Sequence, residues 1–202
     1  MAGRPTRNQK TGERAGPPAP TTLVFREVTP DTWSDFETLF EGRGGPKNCW
    51  CMVWRATTEE SRDSSRPSRK AAMQRRIRAG VPVGILGYDR GTPVAWCSIA
   101  PKHTYRAGLA DTQEGDAEEN VWSLACFFVN RAVRGRGALK ALICAAKRHA
   151  KEHGATVLEA YPVDADSPSY RFGGFLSNFE ETGFVEIGRA GSRRHVVRHP
   201  LK

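Results

Sequence analysis

The sequence predicts a mixed α+β domain, a mostly antiparallel sheet of about six to seven strands flanked by helices. Three observations carry this. The run VWSLACFFV (121–129) is almost wholly apolar, as a central strand covered on both faces must be. A long amphipathic helix and a further apolar run, TVLEAYPV (156–163), follow it and make one strand–helix–strand crossover. Elsewhere apolar runs meet across short turns, around DRGT within 82–101 and again within 185–201, which is the pattern of antiparallel hairpins.

Taken in order, TLVFREV (22–28) has the composition of a strand. Thr29 or Asp31 can cap the helix DTWSDFETLFEG, whose Trp33, Phe36, Leu39 and Phe40 share a face and whose end is marked by Gly42. RGGPKN (43–48) is a loop, and CWCMVWR (49–55) is dense in aromatic rings and sulfur. A polar stretch turns helical around SRKAAMQRRIRAG (68–80), with Ala72, Met73 and Ile77 on one face. Residues 102–120 are polar and loop-like, with acids at Glu114, Asp116, Glu118 and Glu119. The helix over 137–153 repeats Leu139, Leu142, Ile143, Ala146 and Ala150 at helical spacing and stops at Gly154. GGFLSNFEETGF (173–184) reads as a short helix ended by Gly183.

Residues 1–22, with four basic residues against one acid and much Pro, Gly and Thr, read as a flexible tail ahead of one folded domain over 23–202. The formal charge of +9 favours anionic partners: nucleic acid, acidic lipid or a phosphorylated cofactor. No apolar run reaches the roughly 18 residues of a membrane span, and the N-terminus lacks the apolar core of a signal peptide. Five cysteines, three of them scattered in apolar contexts, do not form a disulfide framework, so a reducing, cytoplasmic compartment is expected. Cys49 and Cys51 lack a second Cys/His pair at ligand spacing, so no metal is expected. Cys126, on the apolar strand, reads as a small core residue rather than a nucleophile.

Between the apolar strand and the long helix lies NRAVRGRGALK (130–140). A helix N-terminus offers free N–H groups and a partial positive charge, and glycine lets the main chain approach a phosphate closely. Arg134, Arg136 and Lys140 add charge beside it. The turn is therefore a candidate pyrophosphate cradle or an ordinary strand-to-helix turn that needs glycine for geometry. It fits neither the dinucleotide fingerprint nor the nucleotide-triphosphate loop.

The stretch FFVNRAVRGRGALKALICAAKRHAKEHGA (127–155) resembles the acetyl-coenzyme A motif of the GNAT superfamily of N-acetyltransferases, Arg/Gln-x-x-Gly-x-Gly/Ala after an apolar strand. Arg134 and Gly137 match, and Leu139 departs from the last position. GILGYDRGTPVAWCSIAP resembles the hairpin before that motif, and FEETGF the late helix ending in Gly-Phe. CWCMVWR and EAYPVD together look like a bacterial subgroup.

The resemblance implies a GNAT-like sheet whose two central strands splay to admit the pantetheine arm of acetyl-CoA. It implies pairing of that arm with backbone in Phe127, Phe128 and Val129. It places the pyrophosphate on N–H groups of Gly135, Arg136, Gly137, Ala138 and Leu139, beside Arg134. A homodimer is also in keeping with it, and the partner it implies is an amine acceptor, expected to be a small molecule. The family's usual proton donor to the departing thiolate is a tyrosine, where this chain has Phe179, and Phe172 stands where an asparagine is frequent. Ser177, Tyr170 and Tyr161 are substitute acids; Glu119, with Glu118, and Asp164 are candidate bases. Two other readings remain: a non-catalytic acyl-CoA-binding module, favoured by Phe179 and Phe172, and a nucleic-acid-binding protein, suggested by charge and opposed by the acidic cluster.

Overall fold

The computed structural model describes residues 22–109 and 119–202. Almost all of the expected tail, and Glu114, Asp116 and Glu118, lie outside them. The order of elements is β1 (Val24–Glu27), α1 (Trp33–Glu41), α2 (Arg66–Arg78), β2 (Ile85–Asp89), β3 (Thr92–Pro101), β4 (Val121–Val129), α3 (Ala138–Glu152), β5 (Val157–Ala160), α4 (Leu176–Glu180), β6 (Val185–Ala190) and β7 (Arg194–Pro200). The seven strands form one sheet in the order β1-β2-β3-β4-β5-β7-β6. Only β4 and β5 run parallel, because α3 connects them as a crossover. The β2–β3 turn places Arg90 and Gly91 at φ 48° and 81°, the left-handed pair that two-residue hairpins use.

Each face of the sheet carries its own core. On one face α3 lays Leu142, Ile143, Ala146 and Ala150 against Cys97, Ile99, Leu124 and Leu158. On the other, α1, α2 and the segment at 50–52 bring Phe36, Phe40, Trp50 and Met73 onto Trp96 of β3. The Phe36 and Trp96 ring centroids lie 4.7 Å apart, one of several tilted or edge-on aromatic contacts there, each worth about 0.5–1.5 kcal/mol beyond burial. Cys51 and Cys126 belong to this second core, their sulfurs 3.4 Å apart, and the Trp96 indole N–H donates to Cys51 Sγ at 2.9 Å. Cys126 is thus a packed thiol, held well above its ordinary pKa by the contact with Cys51 and by burial.

The expected elements are present, with shifted ends. The helix expected over 68–80 starts at Arg66, because Ser65 caps it and Pro67 suits its first turn. The helix expected over 173–184 contracts to Leu176–Glu180. Gly173 presses so closely on the chain after β5 that a Cβ there would lie 2.7 Å from the Tyr161 carbonyl oxygen, and Gly174 has φ +85°. The chain makes a separate 3-10 turn at Arg171–Gly173 instead, and the close approach and positive φ of these glycines keep α4 from starting before Leu176.

Candidate functional site

The strand β4 is bent by a bulge. Ser98 of β3 pairs with Cys126 and Ile99 with Leu124, so Ala125 is the extra residue. Pairing with β5 runs from Val121↔Val157 to Leu124↔Ala160 and stops. Past that point the chain after β5 turns to another segment: Val163 N–H donates to Gly174 O at 3.0 Å, and Leu176 N–H to Val163 O at 3.0 Å. The second half of β4 therefore has no strand partner on that side: the two parallel strands part, and the turn Arg171–Gly173 lies against β4. Asn130 N–H donates to Val94 O of β3 at 2.8 Å. Strand alternation then turns the main-chain groups of Phe127 and Val129 to the side without a strand partner. The Phe127 ring packs 6.0 Å from Phe179, which is fully buried and itself lies edge-on to Phe184.

At the end of β4 the chain makes a single helical turn over Arg131–Val133, which the Asn130 side chain caps by accepting from Ala132 N–H at 3.1 Å. Gly135 and Gly137 then take φ +73° and +78°, values that disfavour any side chain, although nothing stands within 4 Å of a Cβ built there. These glycines serve conformation, and they leave open space over the start of α3. Gly137 caps that helix with no side-chain hydrogen bond, and its carbonyl oxygen accepts from Ala141 N–H at 3.0 Å. The N–H groups of Ala138 to Lys140 precede that bond and are the orphan donors of the helix. Leu139, the departure from the motif, turns its side chain into the α3-side core, so its backbone N–H stays at the turn. Arg134 Nε donates to Val129 O at 2.8 Å, which folds its guanidinium over the end of β4; Lys140 pairs with Glu181 at 2.6 Å on the surface.

On the face away from α3 the parted strands lie beside a cationic aromatic cluster. Trp54 is buried with Ala125 at the bulge and with Tyr161 just after β5. It stacks on Tyr170 at 6.2 Å, and the Arg194 guanidinium lies 4.6 Å from the Trp54 ring and 5.3 Å from that of Tyr170. Tyr170 is held at φ 58°, a strained value for a non-glycine residue.

Behind the parted strands runs a buried polar network. Arg55, 2% exposed, donates to Ser98 Oγ at 3.1 Å and to the Tyr105 hydroxyl at 2.7 Å. Tyr105 in turn donates to Ser123 O at 3.3 Å, and burial pushes its pKa up to about 12. Ser123 Oγ meets the Tyr161 hydroxyl at 2.9 Å, and Tyr161 donates to Glu159 Oε1 at 2.6 Å. Lys102 and Arg198 complete the Glu159 carboxylate at 3.0 and 2.7 Å, and Arg198 reaches Glu119 at 3.1 Å. Burial alone would raise the Glu159 pKa, but hydrogen bonds from Tyr161 and Arg198 and the Lys102 charge more than offset it and hold it below the ordinary value.

The structure thus places Phe127, Val129, Arg134, Gly135, Arg136, Gly137, Ala138 and Leu139 along the unpaired end of β4 and the turn that leads from it into α3. Phe128 faces the other way, against the α1–α2 core. The candidate proton-transfer residues do not converge there. Tyr161 is 2% exposed, and its hydroxyl is committed to Glu159, whose charge, together with burial, keeps that proton in place. Ser177 is exposed on α4. Glu119 precedes β4, seven residues before Cys126, or about 23 Å along an extended chain. Asp164 lies 3.0 Å from His195, whose other ring nitrogen is 2.8 Å from Glu186. Sequence reasoning missed His195, Glu159, Arg198 and Arg194 because their partners are distant in the chain and no local pattern marks them.

A mostly antiparallel sheet with one parallel crossover of this kind has counterparts among known proteins. The profile of the acetyltransferase (GNAT) family matches residues 49–173. The chain belongs to that family. A GNAT-family acetyltransferase from Listeria monocytogenes superimposes with a TM-score of 0.56 at 13% identity, over 89% of this chain and 95% of that one. PaiA N-acetyltransferase from Thermoplasma acidophilum, in complex with coenzyme A, gives 0.53 at 15% identity over 89% and 99%. YncA from Salmonella typhimurium, with its cofactor acetyl-CoA, gives 0.52 at 14% identity over 89% and 94%. At these identities the likeness is one of fold. A search of the curated proteins gives no match.

Proposed function

We propose that the protein is an acetyl-CoA-dependent N-acetyltransferase that passes the acetyl group directly to a primary amine of a small molecule in a ternary complex. One observation carries this reading: the unpaired edge of β4 runs straight into the open cradle at Gly135–Leu139. PaiA and YncA, which share the fold, were captured with coenzyme A and acetyl-CoA. In this reading the main chain of Phe127 and Val129 pairs with the pantetheine arm like an added strand. The N–H groups from Gly135 to Leu139 hold the pyrophosphate, with Arg134 and Arg136 supplying positive charge. The thioester carbonyl then lies along β4 near Cys126–Val129, where strand N–H groups can stabilise the oxyanion.

The acceptor enters from the other face, past Trp54, Tyr170 and Arg194. It must lose a proton before it attacks. Asp164, beside His195 and four residues past the last β4–β5 pair, is better placed than Glu119 to take that proton through water. For the departing thiolate, Tyr161 is set aside because its hydroxyl serves Glu159, and Phe179 has no hydroxyl. Ser177 remains as a donor, and a thiol of pKa roughly 8.5 can leave unassisted.

The buried Phe179 also favours a second reading, a non-catalytic acyl-CoA-binding module. Calorimetric titration with acetyl-CoA, followed by a thiol-release assay over a panel of amines, separates the two. Micromolar binding with thiol release is expected. Binding without release from any amine selects the module, and no binding sinks both.

A further inference from the structure

A second site lies at the opposite end of α3. Glu27, the last residue of β1, His149 of α3 and His153, which caps the C-terminus of that helix, meet at the rim of the sheet, and we propose that they bind a divalent transition-metal ion of the zinc class. One ligand atom from each of the three lies within 4.8 Å of the others. His149 and His153 are four residues apart, so they share one helix face, with ring centroids 4.2 Å apart. Both rings pack against Trp122, at 5.7 and 5.5 Å, which limits their freedom to turn away.

Two further details separate this group from a chance ion pair. His153 Nδ1 lies 2.8 Å from the His149 carbonyl oxygen, so Nδ1 carries the hydrogen. That leaves the Nε2 lone pair free, and Nε2 is the atom 3.7 Å from Glu27 Oε2. Metal-bound histidines are commonly oriented in this way, by a carbonyl on the other ring nitrogen. His149 is 9% exposed, and its Nε2 is buried with no hydrogen-bond partner among the described residues. An orphaned imidazole beside a second imidazole and a carboxylate is a polar debt that one cation settles.

Two histidines and a glutamate suit zinc, with bonds of about 2.0–2.2 Å, and the ligands must close by about an ångström to reach them. The group opens into a cleft of about 460 Å³, also lined by Arg26, Arg148 and Glu152, which leaves room for water as a fourth ligand. The nearer histidine, His149, sits twelve residues along α3 from Gly137, or about 18 Å. An ion there would act on the fold: it would tie the edge strand β1, four residues long and paired only with β2, to the helix beneath it.

The test uses the full-length chain without an affinity tag, stripped with chelator, in a Cys49→Ser, Cys144→Ser background that removes the thiols outside the core. Calorimetric titration with Zn²⁺ is expected to give one ion per chain at micromolar affinity or tighter, and Co²⁺ to give the visible absorption of a four-coordinate nitrogen–oxygen site. Glu27→Gln and His153→Gln each weaken Zn²⁺ binding at least about 100-fold, since even outer-shell changes cost 10–100-fold. Both side chains are partly exposed, so the metal-free variants are expected to melt as the parent does, and His149 is spared because it is buried. No uptake of Zn²⁺, or uptake with unchanged affinity in both variants, overturns the proposal.

Discussion

The two faces of the central strand solve different problems with different groups. Past Leu124, β4 has no strand partner on one side, and the turn beyond it is shaped by main chain alone, through two left-handed glycines. Behind it, Ser123 of the same strand belongs to a network made of side chains, in which the buried Glu159 carboxylate meets Tyr161 and the half-buried Lys102 and Arg198. An open recognition surface can be built from few residue types, because every residue brings a backbone. A buried network cannot, because each buried charge requires its particular partner. The cradle should therefore tolerate change in stability and fail in binding, and the network should do the reverse.

The largest expected effect is in the network. Glu159→Ala leaves Lys102 and Arg198 without their buried carboxylate and should cost about 3–5 kcal/mol, read from the shift in the urea midpoint. Gly137→Glu should weaken acetyl-CoA binding at least 100-fold, about 2.7 kcal/mol, in a calorimetric titration, while folding is retained; unchanged affinity would break the assignment of the cradle. Tyr161→Phe removes two hydrogen bonds and should cost on the order of 1–3 kcal/mol, with thiol release kept within about threefold. A fall in turnover of a hundredfold or more would return Tyr161 to the reaction. Arg134→Ala should weaken coenzyme binding about tenfold, with stability changed by under about 0.5 kcal/mol.

The smallest effect sharpens the contrast with ordinary surface pairs. Hydrogen bonds from Arg76 hold the Glu60 carboxyl down at about 2, well below its ordinary range. A depressed carboxylate adds stability above its unfolded pKa and loses it as pH falls through the folded one. Stability should therefore drop between about pH 4.5 and pH 2, and Glu60→Gln should remove part of that slope in urea titrations across the range.

How much of this was legible depends on how far apart the partners stand. VWSLACFFV, RGRG and the helical repeat of Leu142, Ile143, Ala146 and Ala150 are contiguous, so their composition alone marks a covered strand, a glycine turn and an amphipathic helix. The short helix α4 was overextended, because Gly173 reads locally as a helix start while its contact with the Tyr161 carbonyl is tertiary. The sequence offers Tyr161 as a substitute acid, since its burial against Ser123 depends on the packing of β4 against β5. Cys49 and Cys51 drew the question of metal because they sit together in the chain. Glu27, His149 and His153 did not, because more than a hundred residues separate the carboxylate from the imidazoles.

The sequence by itself determined the class of fold, the order of strands and helices, and the place of the glycine turn before α3. Each of these follows from periodicity and backbone preference over a dozen residues or so, where interactions are local. Only the tertiary structure decided which polar groups are buried and with whom: that Glu159 answers Arg198, that Trp54 stacks on Tyr170 under Arg194, and that β1 brings a carboxylate to two histidines at the end of α3. Burial and pairing are properties of the space between elements, and that space exists only once the sheet has closed its cores on both faces.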